Sequence, residues 1–229
     1  MGQPNIEEIE AGLGDWELLK KLPRQLGSFK LAPGSGINGQ ILNIAAYVDQ
    51  EAHCRLDLTY TTETFDYVPV KTVGLHTFRD ERYFSRDREH FGQMLQEHLQ
   101  ELLDEIDRKQ RHDMDYTSSE LGFSKWDYWH SLPERIGTYE RFISPDNPLN
   151  YINGSYIFLD YTDFAAGNQL CFFYNTFRNE IFAEMKQRHL PLTTDAFDVK
   201  SSVADDKKLD ALSVLLQERL QKTLLDLGK

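Results

Sequence analysis

The stretch Pro33–Asp49, PGSGINGQILNIAAYVD, decides which fold class the sequence predicts. Gly34, Gly36 and Gly39 fit G-x-G-x-x-G, the spacing of a dinucleotide-binding loop, which needs a strand before it and a helix after it. The apolar residues of 40–49 allow both a helical and an alternating strand-like arrangement. A helix here would indicate a nucleotide-binding fold, whereas a strand would indicate an antiparallel sheet.

A second occurrence of the same pattern resolves this ambiguity. Ile37–Gly39 matches Ile152–Gly154, and the residues that follow the second copy, SYIFLD, are rich in the aromatic and β-branched residues typical of strands. Related segments are expected to share secondary structure. We therefore predict that Gln40–Asp49 is a strand, that each Asn-Gly pair is a turn entering a strand, and that Gly34–Gly39 binds no nucleotide.

The match extends along the chain and predicts a tandem duplication. GLGDWELLKKLPRQLG (Gly12–Gly27) aligns without gaps with GFSKWDYWHSLPERIG (Gly122–Gly137), so that Trp16 corresponds to Trp126. Three further pairs of segments follow in the same order: Tyr47–Asp49 with Tyr161–Asp163, Cys54–Phe65 with Cys171–Phe182, and Leu95–Leu103 with Leu216–Leu224. Repeats of this kind indicate that one structural unit occurs twice. The predicted units are 1–110 and 111–229.

Each predicted unit has the same order of elements. An amphipathic helix carrying Trp16 or Trp126 comes first. Three or more antiparallel strands follow, among them Cys54–Phe65 and Val68–Phe78 in the first unit, and a long leucine-rich helix ends the unit. The predicted fold class is α+β, with two helix–antiparallel sheet–helix units in a pseudo-twofold arrangement.

Composition bounds the partners and the compartment. The 229 residues carry 25 Lys and Arg against 37 Asp and Glu, for a net charge of −12, and no basic stripe stands out, so neither nucleic acid nor an anionic membrane is an expected partner. No apolar run is long enough to span a membrane, and no export signal is present. Cys54 and Cys171 are therefore predicted to be free, buried thiols in a reducing cytosol, which places the protein in the cytoplasm.

Polar residues that the alignment pairs between the units are the best candidates for a ligand site. Their carboxylates would form symmetric acidic sites, although solvent-facing strand residues would give the same pattern. Two aromatic residues of the second unit either line a groove or thicken the core. The candidate ligand-binding residues are Glu63, Glu180, Thr59, Thr176, Asp49, Asp163, Tyr128 and Trp129.

No catalytic residue, metal site or cofactor is predicted. The histidines form no H-x-x-x-H pair, no serine lies in a nucleophile elbow, and the donors of His112–Asp115 are more typical of a solvated linker than of a metal site. Two function classes stay open. The favoured one is a non-enzymatic adaptor that binds a protein or peptide. The alternative is an enzyme or small-molecule-binding protein with an acidic site, containing Glu63 and Glu180, in a cleft between the units. No oligomeric state is predicted.

Overall fold

A computed structural model of the chain describes residues 5–110, 122–152 and 154–229. The chain divides into two compact units, Met1–Gln110 and Arg111–Lys229. One contains a six-stranded and the other a seven-stranded antiparallel sheet, and each sheet is accompanied by helices. The fold is therefore mixed α+β. No helix within the described ranges combines the length and the apolar character needed to cross a membrane.

The first unit is a meander of strands between short helices and one long helix. Each strand pairs with the next along the chain, from β1 to β6. The opening helices are α1 (Ile6–Ala11), a 3₁₀ turn (Gly12–Asp15) and α2 (Glu17–Lys21). The strands are β1 (Gln25–Leu26), β2 (Phe29–Asn38), β3 (Ile41–Asp49), β4 (Cys54–Thr61), β5 (Asp66–Val73) and β6 (His76–Arg79). A 3₁₀ turn (Glu81–Tyr83) then leads to α3 (Arg88–Asp104).

The second unit follows a similar course with a more irregular beginning. Its order along the sheet is β7-β8-β10-β11-β12-β13, and β9 pairs separately with β10. Two 3₁₀ turns, Phe123–Lys125 and Asp127–Ser131, precede the strands. The strands are β7 (Arg135–Ile136), β8 (Tyr139–Glu140), β9 (Leu149–Asn150), β10 (Ser155–Asp163), β11 (Asn168–Asn175), β12 (Glu180–Gln187) and β13 (Leu190–Thr193). The closing helix is α4 (Asp205–Leu227).

Each unit has a core that its own sequence periodicity produces. In α3 and α4, leucines three or four residues apart form the buried stripe, and in β4 the side chains alternate in direction. Trp16 is buried and its ring lies 5.9 Å from that of Tyr67, while Trp126 is buried against Phe123 and Phe158. Both tryptophans are thus core residues of their units.

The glycine stretch belongs to a β-hairpin, which confirms the predicted strand over β3. Gly39 lies in the turn between β2 and β3 with a φ of +59°, and Gly36 has a φ of +77° beside an irregularity in the strand pairing. At Gly34 a Cβ atom would lie only 2.0 Å from the carbonyl oxygen of Asn43. The backbone of the hairpin therefore explains all three glycines: Gly36 and Gly39 have positive φ, and at Gly34 the strands approach too closely for a side chain. In the second unit Gly154 likewise precedes a strand, and Asn153 lies outside the described residues.

The predicted opening helices and the predicted strand Val68–Phe78 are wrong in part. The opening helix of the first unit is interrupted by a 3₁₀ turn at Gly12–Asp15, and the described opening of the second unit contains 3₁₀ turns instead of an α-helix. Glycine is a poor helix former, so an apolar stripe alone does not hold one continuous helix there. Val68–Phe78 forms parts of two strands, because Gly74, with a φ of +60°, closes a tight turn between β5 and β6.

The alignment of the two cysteines is also wrong in register. Cys54 is the first residue of β4 and pairs with Asp49. In the second unit Asn168 occupies that place opposite Asp163, while Cys171 is the fourth residue of its strand. The matching letters of the two segments therefore do not mark matching positions in the two sheets, because strand pairing fixes the register independently of them.

Candidate functional site

Asp49 and Asp163 serve the same local purpose in their units. Each ends a strand, is buried, and accepts hydrogen bonds from the backbone of the turn that follows. Asp49 Oδ1 accepts from the N–H of Ala52 at 3.1 Å, and Asp163 Oδ1 accepts from that of Ala166 at 3.0 Å. Lys109 Nζ lies 2.9 Å from the other oxygen of Asp49. These carboxylates fix turns, which explains why both units have one at this place.

The threonine and glutamate candidates do not occupy equivalent positions. Thr59 is buried in β4 and donates its hydroxyl to the carbonyl of Val68 at 2.8 Å, whereas Thr176 lies in the turn after β11. Glu63 is exposed in the turn between β4 and β5, whereas Glu180 is the first residue of β12. The predicted correspondence of these residues fails for the same reason as that of the cysteines.

Tyr128 and Trp129 are half-buried and pack against the core of the second unit. The guanidinium of Arg141 lies 5.3 Å from the centre of the Trp129 ring. It also donates to the carbonyl oxygens of Trp129 at 3.1 Å and of Leu132 at 2.9 Å. This surface is therefore covered by a side chain of the same unit.

The first unit has an apolar groove between α2 and strands β2 and β3. Its volume is about 460 Å³. Ala32 and Ala45 leave space in it that larger side chains would fill, and the pairing of β2 with β3 becomes irregular directly after Pro33. The residues that line it are Leu19, Leu22, Arg24, Leu31, Ala32, Pro33, Ile44 and Ala45.

The stretch of sequence that lines this groove is positively charged although the whole chain is acidic. Residues 18–48 contain four cations and no Asp or Glu, in a chain of net charge −12. Lys20 is paired with Glu17 at 2.7 Å. Lys21, Arg24 and Lys30 are exposed, and no carboxylate within the described part of the chain forms an ion pair with them. We call these three residues the basic rim.

A hairpin of the second unit has a similar backbone hydrogen bond but different side chains. In the first unit the N–H of Leu31 donates to the carbonyl of Arg24 at 2.9 Å, and in the second the N–H of Arg141 donates to that of Glu134 at the same distance. A glutamate thus stands where the first unit has the groove's arginine. The residue that donates this hydrogen bond is Leu31 in the first unit and Arg141, which covers Trp129, in the second.

The second unit contains a buried carboxylate, that of Asp160 in β10. It accepts hydrogen bonds from the backbone N–H groups of Phe142 and Ile143 at 3.1 and 2.7 Å, and from Gln169 Nε2 at 2.9 Å. Burial raises its pKa to about 6, and these hydrogen bonds oppose the rise. The chain between β8 and β9 forms no continuous strand, so the Asp160 side chain attaches this segment to the sheet. Its geometry is that of a structural clamp.

Both cysteines are free and buried, as predicted. Burial raises the pKa of the Cys54 thiol to about 12 and that of Cys171 well above its usual value. Reactive cysteines need the thiolate form and solvent access. The geometry of these two thiols therefore does not suit nucleophilic chemistry.

No set of three His, Cys, Asp or Glu side chains within residues 5–110, 122–152 and 154–229 is arranged to hold a metal ion. His112–Asp115 lies outside these ranges. Comparison of the chain with protein-family models, curated proteins and solved structures finds no match. The groove and the Asp160 clamp were not predicted from the sequence, although the acid-free stretch 18–48 was a visible signal for the first of them.

Proposed function

We propose that the first unit is a non-enzymatic protein-interaction module whose groove accepts an apolar segment of a partner. The observation that carries this proposal is the groove of about 460 Å³ with its leucine, isoleucine, alanine and proline lining. Apolar concavities with one polar group that fixes orientation are typical binding surfaces.

Magnitudes indicate a weak interaction. Burying one large apolar side chain stabilises a complex by about 1.5–3 kcal/mol, so two such side chains contribute roughly 3–6 kcal/mol. A micromolar complex requires about 8 kcal/mol after the loss of translational and rotational freedom. We therefore expect the groove alone to bind a short peptide with a Kd well above micromolar, and tighter binding to need contacts beyond it.

The alternative function, an enzyme or small-molecule-binding protein with an acidic site, stays a prediction. It depends on Glu63 and Glu180 acting together. The alignment that paired them is out of register with the strands, and no observation within either unit favours a reaction at them.

The test is selection of a displayed library of random peptides on the full chain. We expect the enriched peptides to contain large apolar residues. We expect Leu31→Arg to abolish their binding, because the arginine would fill the groove, as Arg141 covers Trp129 in the second unit. Ile37→Arg is the matched control, since Ile37 lies on the same strand, is 38% exposed and does not line the groove. Enriched peptides that bind the Leu31→Arg protein as well as the natural one would refute the proposal.

We also infer that the two units are copies of one fold. Tyr47 donates its hydroxyl to the carbonyl of Pro23 at 2.7 Å, and Tyr161 donates to that of Pro133 at 2.7 Å. These bonds join equivalent strands to equivalent Leu-Pro turns, and a duplication explains both at once. An experimental structure should superpose Tyr47 with Pro23 on Tyr161 with Pro133 and would also test the predicted pseudo-twofold arrangement. Tyrosines on unrelated elements would disprove the duplication.

A further inference from the structure

We propose that the groove of the first unit selects partner segments that carry an acidic side chain next to their apolar ones, an inference that rests on the proposed function. Arg24, the member of the basic rim that lines the groove, supplies the complementary charge. Lys21 and Lys30 are sequence neighbours of the lining residues Leu22 and Leu31 and add positive charge to the same part of the unit. A purely apolar segment would leave this charge without a partner.

The acidity of the whole chain does not oppose this selection. At physiological ionic strength the Debye length is about 8 Å, so exposed acids farther away than this are largely screened. Residues 18–48, which form most of the groove, contain no Asp or Glu. Glu17, which adjoins this stretch, is paired with Lys20. The charge that lines the groove itself is the positive charge of Arg24, which an arriving peptide therefore meets.

An arginine favours a carboxylate over other acceptors for a geometric reason. Its planar guanidinium donates two parallel hydrogen bonds to one carboxylate. Arg24 is exposed and makes no ion pair with the described residues, so this capacity is available. The second unit has Glu134 in place of an arginine at the residue whose carbonyl accepts the similar backbone hydrogen bond.

The experiment repeats the peptide selection with charge variants and then measures the enriched peptides by fluorescence polarisation. We expect the natural protein to enrich peptides with Asp or Glu beside large apolar residues. Arg24→Gln should raise the Kd for these peptides by about threefold to tenfold, because exposed or partly exposed charge pairs contribute at this level. Arg24→Glu should raise the Kd further. Raising the salt concentration should weaken the natural protein's binding more than that of Arg24→Gln.

Arg79→Gln is the matched control. Arg79 is an exposed arginine of the same unit that lies outside the groove and makes no ion pair with the described residues, so its loss changes the net charge equally. We expect its affinity for the peptides to equal that of the natural protein.

The outcomes separate this inference from the function on which it rests. One outcome is a set of peptides whose binding is lost in Leu31→Arg, but which lack acidic residues and bind Arg24→Gln with unchanged affinity. This outcome overturns the inference and leaves the proposed interaction module in place. Absence of any groove-dependent peptide overturns both. Binding of the basic rim to vesicles of anionic phospholipid, with no acidic peptide enriched, also overturns the inference, because the rim would then serve a membrane surface.

Discussion

Trp16 buries an indole N–H for which no described residue supplies an acceptor. In the second unit Trp126 donates the corresponding N–H to the hydroxyl of Ser213 in the closing helix at 2.8 Å. The first unit has Gly92 near its tryptophan, and a Cβ atom there would lie 3.6 Å from Trp16 Nε1, an ordinary contact. An unsatisfied buried donor costs about 1–3 kcal/mol. Trp16 is therefore a site at which the fold can be improved.

We predict that Gly92→Ser stabilises the first unit by about 1–2 kcal/mol in urea unfolding, from the new hydrogen bond and from the loss of a helix-interior glycine. Gly92→Ala is the control, because alanine has the higher helix propensity but no hydroxyl. The serine variant should be the more stable of the two by about 1 kcal/mol. Equal stability of the two variants would show that the indole N–H already has a partner.

Asp160 makes stability depend on pH with a defined sign. Its folded-state pKa of about 6 lies above its ordinary value of 3.8. The folded state therefore binds the proton more tightly than the unfolded state. The contribution of the protonated Asp160 to the free energy of unfolding is complete below about pH 4 and is lost as pH rises through 6. Because one pKa unit corresponds to about 1.4 kcal/mol, the loss amounts to about 3 kcal/mol.

We predict that Asp160→Asn removes this dependence. The new amide oxygen can still accept from the N–H groups of Phe142 and Ile143, and Gln169 can turn its amide, whose oxygen has no described partner, toward the new NH₂ group. The stability of the variant relative to the natural protein should rise by about 3 kcal/mol between pH 4 and pH 8. A difference that stays constant over this range would mean that the carboxyl titrates normally.

At the scale of elements, the hairpin of β2 and β3 gives the sharpest mutational test. Gly34→Ala would place a methyl group 2.0 Å from the carbonyl oxygen of Asn43 and 2.5 Å from that of Ile44. Backbone atoms of a paired strand cannot move aside cheaply, so we predict a loss of about 2–3 kcal/mol or more in urea unfolding. This exceeds the small cost expected from glycine flexibility alone. Gly14→Ala is the control, because its Cβ would meet no atom within 4 Å. A Gly34→Ala protein as stable as that control would exclude the close approach.

The elements that were predicted correctly are those whose periodicity has one physical cause. The β3 strand and the closing helices follow from apolar residues repeating at the period of one buried face. The opening helix was mispredicted because its apolar stripe continues across Gly12 and Gly14, where backbone preference decides instead. The cysteine match failed because identical letters carry no information about which residues are paired across strands.

At the scale of the whole molecule, the candidate site is harder to predict than the fold. The groove is lined by the small residues Ala32 and Ala45, which the pairing of β2 with β3 brings to neighbouring positions from separate parts of the sequence. No local pattern announces such a space. The basic rim is different, since the acid-free stretch 18–48 can be recognised by counting charges. Charge could therefore have indicated the surface, while its shape required the structure.

The two cysteines, one in each compact unit, can report whether the units unfold separately. Each thiol is buried with a raised pKa, so a thiol reagent reaches it only when its surroundings open.

We predict that, in the single-cysteine variants Cys171→Ala and Cys54→Ala, the remaining thiol is labelled slowly in native conditions. Adding Gly92→Ser should slow labelling of Cys54 by about fivefold or more, which corresponds to a stabilisation of about 1 kcal/mol or more. Labelling of Cys171 should be unchanged, because each unit has its own core. Equal slowing of both thiols would show that the chain opens as one cooperative body, and rapid native labelling of either thiol would contradict its burial.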